Sequence, residues 1–438
     1  MNYRPICIQS SLPKLFEKIV LSKINPLLNK FITVHQHGFH KSRSTVTNLL
    51  LYETHISRAL SMNKQVDSIY TDFSKAFDKV SHKLLVNKLS HFGFAGSFLS
   101  WLNTYLSDRT LMVRANCATS HSINVTSGVP QGSHLGPILF NIFINDIPLI
   151  FHDVEILMFA DDLKLFKVIN NIYDCITIQN NLDILSDWCI KNRLHLNVDK
   201  CLIMIFYRIK NPLLYSYSLS NSNLCSVAEI SDLGITFDTK LSFSRHVSNI
   251  TGKALKMLGF ILRVASDFKN TSTIRILYTS LVRSCLEYGS TIWNPCYKVH
   301  IASLERVQHK FLRYVNFRLG IPLDSLNYDF LLNNQNLLKL SERRIITDLI
   351  FLFKIVNGML DCPDILSLVN FNVPVRMTRQ CVLYYCSNIR TVAMQNSTLN
   401  RLHSMGNKYA FLADVFDNSL SSYRLILIKH FSNHGSGS

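Results

Sequence analysis

Apolar positions along this 438-residue chain switch between two periods. Leu15, Phe16, Ile19, Val20, Ile24, Leu27 and Leu28 recur at helical spacing, with Ser11 placed to cap and Pro13 in the first turn. SSLPKLFEKIVLSKINPLLNKF (Ser10–Phe31) therefore predicts an amphipathic helix with lysines on its far side. After a break at HQHGFHKSRS, a second helix is expected from near Thr45 through THISRALSMN. Val66, Ile69 and Tyr70 predict a strand ending at Asp72, and SHKLLVNKLSHFG returns to the helical period. The stretch from Leu111 alternates as a hairpin up to Val125, turns through Gly128, Pro130 and Gly132, and enters a strongly apolar helix. ILMFADDLKLFKV predicts a second hairpin, with Asp161 and Asp162 at its turn. A helix over IYDCITIQNNLDILSDWCIKNRL then leads to a predicted strand pair, LHLNVDKCLIMIF with VAEISDLGITFD.

Near residue 242 the mixed pattern gives way to long helices. HVSNITGKALKMLGFILRVA sets Val247, Ile250, Ala254, Met257 and Ile261 on one side, with Lys253, Lys256 and Arg263 elsewhere on the turn. Further helical stretches run through Leu277–Ser284, Leu304–Val315 and Arg343–Val356, and the closing HGSGS reads as a flexible tail. At 47% hydrophobic content a chain of this length buries a substantial core in two or three domains.

Charge narrows the partners. Forty-six Lys and Arg against 29 Asp and Glu give a formal charge of +17, which favours polyanions, nucleic acid first and acidic membrane second. The eleven cysteines are scattered without CxxC spacing, and VLYY between Cys381 and Cys386 reads as a strand that would splay the pair, so reduced, buried thiols are expected and no zinc knuckle. MNYRPICIQS has no apolar signal-peptide core, and no run of 18 uncharged apolar residues occurs later. A soluble intracellular protein, cytoplasmic or nuclear or both, is expected, with no membrane partner.

The carboxylates carry the candidate chemistry. A carboxylate among apolar residues is costly unless protonated, paired or bound to metal. Asp72 at a strand end and Asp161 and Asp162 at a hairpin turn are three such groups. Neighbours on a strand face opposite sides, so at most one of the adjacent pair faces Asp72 directly unless the turn relaxes the rule. A hard cation such as Mg²⁺ would cancel their repulsion while bridging substrate phosphates. On spacing alone an ordinary hairpin turn is the better explanation of the Asp pair, because Asp favours turns.

Seven ordered blocks decide between these readings: YRPI (Tyr3–Ile6), QHGFHKSRST (Gln36–Thr45), YTDFSKAFDKVSHKLL (Tyr70–Leu85), SGVPQGSHLGPILFNIFINDI (Ser127–Ile147), FADDLKLF (Phe159–Phe166), LHLNVDKC (Leu194–Cys201) and LGITFDTKLSFSRHV (Leu233–Val247). In this order they resemble the reverse transcriptases of non-LTR (LINE-type) retrotransposons, nearest the jockey-like group. SLVRSCLEYGSTIWNP and ASLERVQHKFLRYV resemble the segments C-terminal to the polymerase in that group. The resemblance implies an α+β right-hand polymerase: residues 1–241 as fingers and palm with an antiparallel sheet, 242–320 as a helical thumb, and 321–438 as a C-terminal helical region.

It also implies an RNA-directed DNA polymerase, a nucleotidyltransferase that extends a DNA primer 3′-OH with dNTPs on an RNA template by two-metal phosphoryl transfer, using Mg²⁺ or, in its place, Mn²⁺. Asp72, Asp161 and Asp162 would be the catalytic, metal-binding carboxylates, and Lys200 would protonate the leaving pyrophosphate. Arg4 would contact the triphosphate, Phe77 would collide with a ribose 2′-OH, and Gln131 and Gly132 would line the nucleotide pocket. Leu233 and Gly234 would form the primer grip, and the basic helix after His246 would track the duplex backbone. His134 and His40 depart from the family pattern, the first replacing a small aliphatic residue and the second a common Arg, with Lys41 and Arg43 nearby. The start of the chain so near YRPI suggests N-terminally truncated fingers and no endonuclease domain. The alternative is a remnant that binds RNA or RNA–DNA hybrid without efficient synthesis.

Overall fold

The computed structural model describes residues 6–107, 109–268, 270–321, 327–373, 382–386 and 392–434. Arg4, Cys381 and the last four residues of the tail lie outside them. Contacts divide the chain into two compact units rather than three consecutive blocks: Met1–Asn48 with Met62–Ala228, and Leu49–Ser61 with Glu229–Ser438.

The first unit is built on five strands: β1 (Gln65–Thr71), β2 (Glu155–Phe159), β3 (Asp162–Ile169), β4 (Leu202–Phe206) and β5 (Cys225–Ser226). They stand in the order β5-β4-β1-β3-β2, antiparallel except for β5 beside β4. β1 is the axis of the sheet, running from Gln65 opposite Ile169 to Thr71 opposite Leu163, with Val66 opposite Phe206 on its other side. All seven of its residues are buried, which suits a segment rich in β-branched and aromatic side chains. Asp67 is tolerated there because its carboxyl accepts hydrogen bonds from Gln65 Nε2 (2.7 Å) and Tyr217 OH (2.8 Å), and burial pushes its pKa up toward the neutral form.

The helix Ile172–Asn192 starts on a capping box formed by Asn171 and Asp174 and buries Cys175, Ile178, Leu182, Leu185 and Cys189 at helical spacing. His82–His91, Gly96–Leu106 and the almost wholly buried Leu135–Phe143 complete the same core. The first helix spans Ser11–Phe31 as predicted, but its apolar side is only partly core: Leu15, Phe16 and Ile19 are exposed, Val20 and Ile24 pack half-buried against the core, and Leu28 is its one fully buried apolar residue.

Two strand predictions need correction. Leu202–Phe206 pairs with β1 and β5, while Glu229–Asp232 forms its own hairpin with Ile235–Asp238, so the expected pair does not exist. VLYY forms no strand among the described residues; Tyr384 makes a single isolated bridge to Phe371. The described cysteines are all free thiols, but Cys117, Cys225, Cys296 and Cys386 are exposed rather than buried.

In the second unit the helix Ser244–Val264 buries Val247, Ile250, Ala254, Leu258 and Ile261, with Leu258 taking the inward place expected of Met257. Thr271–Glu287 is helical throughout, with a π-helical stretch at Tyr278–Arg283. The helices Lys298–Arg318, Leu340–Val356, Thr398–Tyr409 and Leu420–His434 come after it. The expected boundary near residue 320 is bridged by a buried polar cluster. Asp348 Oδ2 takes hydrogen bonds from Arg401 Nε and Asn294 Nδ2, each 3.0 Å, and Asn294 Oδ1 in turn accepts from Arg344 Nε. Among the described residues, no helix is long and apolar enough to cross a membrane.

Candidate active site

β1 ends one residue before Asp72, and that residue is fixed from the side by the segment after the helix Ile172–Asn192. Asn197 N–H donates to Asp72 C=O (2.8 Å) and Ser74 N–H to His195 C=O (2.7 Å), with Phe73 bridging Leu196. The next turn, Val198–Lys200, brings Lys200 Nζ to 3.2 Å from Asp72 Oδ2. With Lys200 half exposed, this pair is a matter of placement more than stability.

Asp161 arrives from the β2–β3 hairpin. Phe159 pairs with Asp162, leaving Ala160 and Asp161 as a two-residue turn in which Ala160 takes φ +55°, a left-handed conformation that disfavours a side chain. QHG of the second sequence block holds that turn. Gln36 Oε1 accepts from Ala160 N–H (2.9 Å) and Gly38 N–H (2.8 Å), and its Nε2 donates to Ala160 C=O (3.2 Å). A Cβ on Gly38 would lie 2.3 Å from Ala160 N, so only glycine lets the two backbones meet. Backbone bonds of His35 and His37 with Met158 dock the segment along the edge strand β2.

These supports bring Asp72 and Asp161, distant in sequence, to one cleft of about 530 Å³, within the range of ligand sites. Phe77, Gln131, Gly132 and Lys200 line it with them. Phe77 stacks on Phe140 (centroids 4.3 Å apart, planes at 22°) and meets Phe39 edge-on, so its ring is braced from behind. Gln131 Nε2 donates to Asp78 Oδ1 (2.8 Å), and its carbonyl accepts from Cys7 N–H (2.7 Å). Gly132 has φ +106°, and a Cβ there would lie 2.7 Å from Cys7 O.

The wall beyond Gly132 leads into the helix Leu135–Phe143, whose first N–H groups are already taken. Glu17, 2% exposed, accepts from His134 N–H (2.7 Å) and Leu135 N–H (3.3 Å) through Oε2, and from Tyr105 OH and Gln9 Nε2 through Oε1.

The remaining expected site residues fall elsewhere. Asp162 is exposed and does not line the cleft, as strand alternation after Asp161 demands. Leu233 and Gly234 form the left-handed turn of the Glu229–Asp238 hairpin in the other unit, with Leu233 C=O accepting from Tyr288 OH (3.0 Å). Arg4 is outside the described residues. Arg43 spends its Nη1 on the carbonyls of Thr33, Val34 and Gln36. Residues the sequence reading missed also line the cleft: Lys75 (φ +54°), Asp78, Asn197 and Phe39. Their signal was proximity to the motif residues, since Lys75 and Asp78 share the block of Asp72 and Phe77.

Residues 1–262 match the sequence model of the family described as "Reverse transcriptase (RNA-dependent DNA polymerase)". The chain belongs to this family. Its fold is accordingly the right-hand polymerase fold. Among curated reverse transcriptase relatives, the chain is 29% identical to the probable RNA-directed DNA polymerase from transposon BS of Drosophila melanogaster, over 72% of this chain and 36% of that protein. It is 27% identical to the RNA-directed DNA polymerase from mobile element jockey of the same organism, again over 72% and 36%. The chain thus spans little more than a third of the length of these relatives. Among solved structures, telomerase from Candida tropicalis with a fragment of telomeric RNA aligns at 12% identity and a TM-score of 0.38, covering 77% of this chain and 54% of that one. Reverse transcriptases in general use divalent metal ions.

Proposed function

We propose that the chain is the polymerase core of a non-LTR retrotransposon reverse transcriptase, adding dNTPs to a DNA primer 3′-OH on an RNA template. The observation that supports this most is the convergence of Asp72 and Asp161 in one cleft with Phe77, Gln131, Gly132 and Lys200. Mg²⁺ fits the donor set. Among the described residues no three His, Cys, Asp or Glu side chains form a ready cage, and Mg²⁺ characteristically takes one or two carboxylates and completes its shell with water and substrate phosphate. When bound, such ions supply charge neutralisation and an activated primer hydroxyl.

The chain's own groups do the rest of the work. Asp72 and Asp161 hold the positive charge in place, and exposed Asp162 adds to the negative field near them. Lys200, fixed beside Asp72, stands where it can give a proton to the departing pyrophosphate, while Lys75 and, by family likeness, Arg4 would meet its phosphates. By family likeness Gly132 would line the nucleotide pocket, its missing Cβ letting the Cys7 carbonyl close against it, and the braced Phe77 ring would collide with a 2′-OH. By family likeness the Leu233–Gly234 turn would be the primer grip.

Primer extension on an RNA template with Mg²⁺ tests the reading. Asp161→Ala is expected to reduce extension on the order of 100-fold or more. Wild-type protein that extends nothing, or extension indifferent to Asp161, rejects polymerisation; synthesis on DNA but not RNA templates rejects the template assignment.

A further inference from the structure

The helix Lys298–Arg318 has two dissimilar sides. Leu304, Val307, Phe311, Leu312 and Val315 are buried in the second unit. On the opposite side Arg306, Lys310 and Arg313 recur at i, i+4 and i+7, all exposed, and the stripe ends in Phe317, which is 66% exposed. His309 and Tyr314 stand half-buried at its margin, and the six residues surround a depression of about 480 Å³.

Among the described residues no acid pairs with the charge of this stripe. The helix carries one acid, Glu305, and its carboxylate faces inward, accepting from Tyr328 OH (2.7 Å), Leu340 N–H (3.2 Å) and Ser341 N–H (2.8 Å). Asp329, on the neighbouring helical turn, is paired with Lys339 at 2.7 Å. No ion pair of Arg306, Lys310 or Arg313 occurs among the described residues. A fourth cation, Arg318, lies 6.0 Å from the centre of the Tyr314 ring and donates to the carbonyls of Ser266 and Phe268. His309 is held below its ordinary pKa by burial and by Arg313, so it is a neutral ring among cations near neutral pH.

Cations alone would suit any polyanion. Cations interleaved with accessible rings suit a polyanion whose bases are unpaired, because stacking needs an open base face that a duplex does not offer. From Arg306 to Phe317 the helix rises about 16 Å, enough for a short run of nucleotides laid along it. We infer that the Arg306, Lys310, Arg313 and Phe317 face of this helix is a docking site for single-stranded nucleic acid. The site holds whether or not the cleft of the first unit polymerises.

The test is binding of a fluorescent oligouridine RNA to the full chain by anisotropy across a salt series. R306A/K310A/R313A is expected to weaken binding at least about tenfold near 0.1 M salt and to flatten the slope of log K against log salt by about 2, three contacts at ~0.7 each. Phe317→Ala is expected to weaken binding about fivefold or more with the slope unchanged. A control triple, K18A/K23A/K30A, removes equal charge from exposed lysines of the first helix and should change binding little. An equal loss in the control overturns the site, since net charge alone would then explain binding. Unchanged RNA binding in the first triple also overturns it, as does a loss confined to anionic phosphatidylserine vesicles. Asp161→Ala abolishes extension but leaves this binding intact if the two sites are separate, so failure of either reading is distinguishable.

Discussion

Gln36→Met removes one side-chain amide from a nearly sealed position, 1% exposed, and keeps its length. Three hydrogen bonds go with it: two N–H groups, of Ala160 and Gly38, and the Ala160 carbonyl lose their partner. An unsatisfied buried N–H costs about 1–3 kcal/mol, and Ala160 already holds a left-handed conformation that costs a non-glycine residue about 1–2 kcal/mol. With two amides orphaned, about 3 kcal/mol separates the native turn from a relaxed one, or roughly a hundredfold in their ratio. Asp161 is the next residue in that turn, so its carboxylate leaves the cleft with it. Single-nucleotide extension under a Mg²⁺ titration should show kcat/KM lower by about 100-fold and a metal midpoint shifted to higher concentration. Thermal unfolding of the same variant establishes that the protein remains folded. A folded Gln36→Met protein with the parent rate and the parent metal midpoint would refute the claim that Gln36 places Asp161.

Phe77→Ala should relax the preference for dNTPs over rNTPs on the order of 100-fold in relative kcat/KM; an unchanged ratio removes the ring from that role. Asp348→Ala should destabilise the protein by about 3–5 kcal/mol in denaturant titration, because it removes the carboxylate that pairs with and accepts from the Arg401 guanidinium, 7% exposed, and a loss under 1 kcal/mol would contradict the buried-pair reading. His37 and His246 are both neutral and buried, held down to about 3 and about 4 from an ordinary 6.5, chiefly by burial. Their unfolded forms take up protons first as pH falls. Stability is therefore full above about 6.5 and declines toward pH 4, each ring adding up to about 1.4 kcal/mol per pH unit to the slope. His246→Gln should remove one such increment from a pH series of unfolding midpoints.

Legibility in the chain tracked locality. Val66, Ile69 and Tyr70 marked β1, and FADD marked a turn, because period and turn chemistry act over a few residues. Sheet order was not legible, since Leu202–Phe206 can pair with any neighbour until the whole unit closes around β1. Met257 and Leu258 are adjacent apolar residues on a helix of 3.6 residues per turn, and packing alone decided that Leu258 turns inward. Asp72, Asp161, Phe77, Gln131, Gly132 and Lys200 were found by motif, whereas the groups that hold them were not. Gln36 reaches Ala160 across 124 residues, and no pattern in either segment announces that contact.

Glu17 bears on how a nucleotide could be held. The N-terminus of a buried helix is a natural seat for phosphate, its amides and dipole offering positive potential at no side-chain cost. At Leu135–Phe143 that seat is filled from within by a carboxylate of the chain itself. If the proposed function holds, an incoming triphosphate would gain nothing from those amides and would draw its counter-charge from Lys75, Lys200, by family likeness Arg4, and the divalent ions that accompany it. On that reading the internal anion would make nucleotide capture depend on metal, because the helix amides beside the cleft are already satisfied.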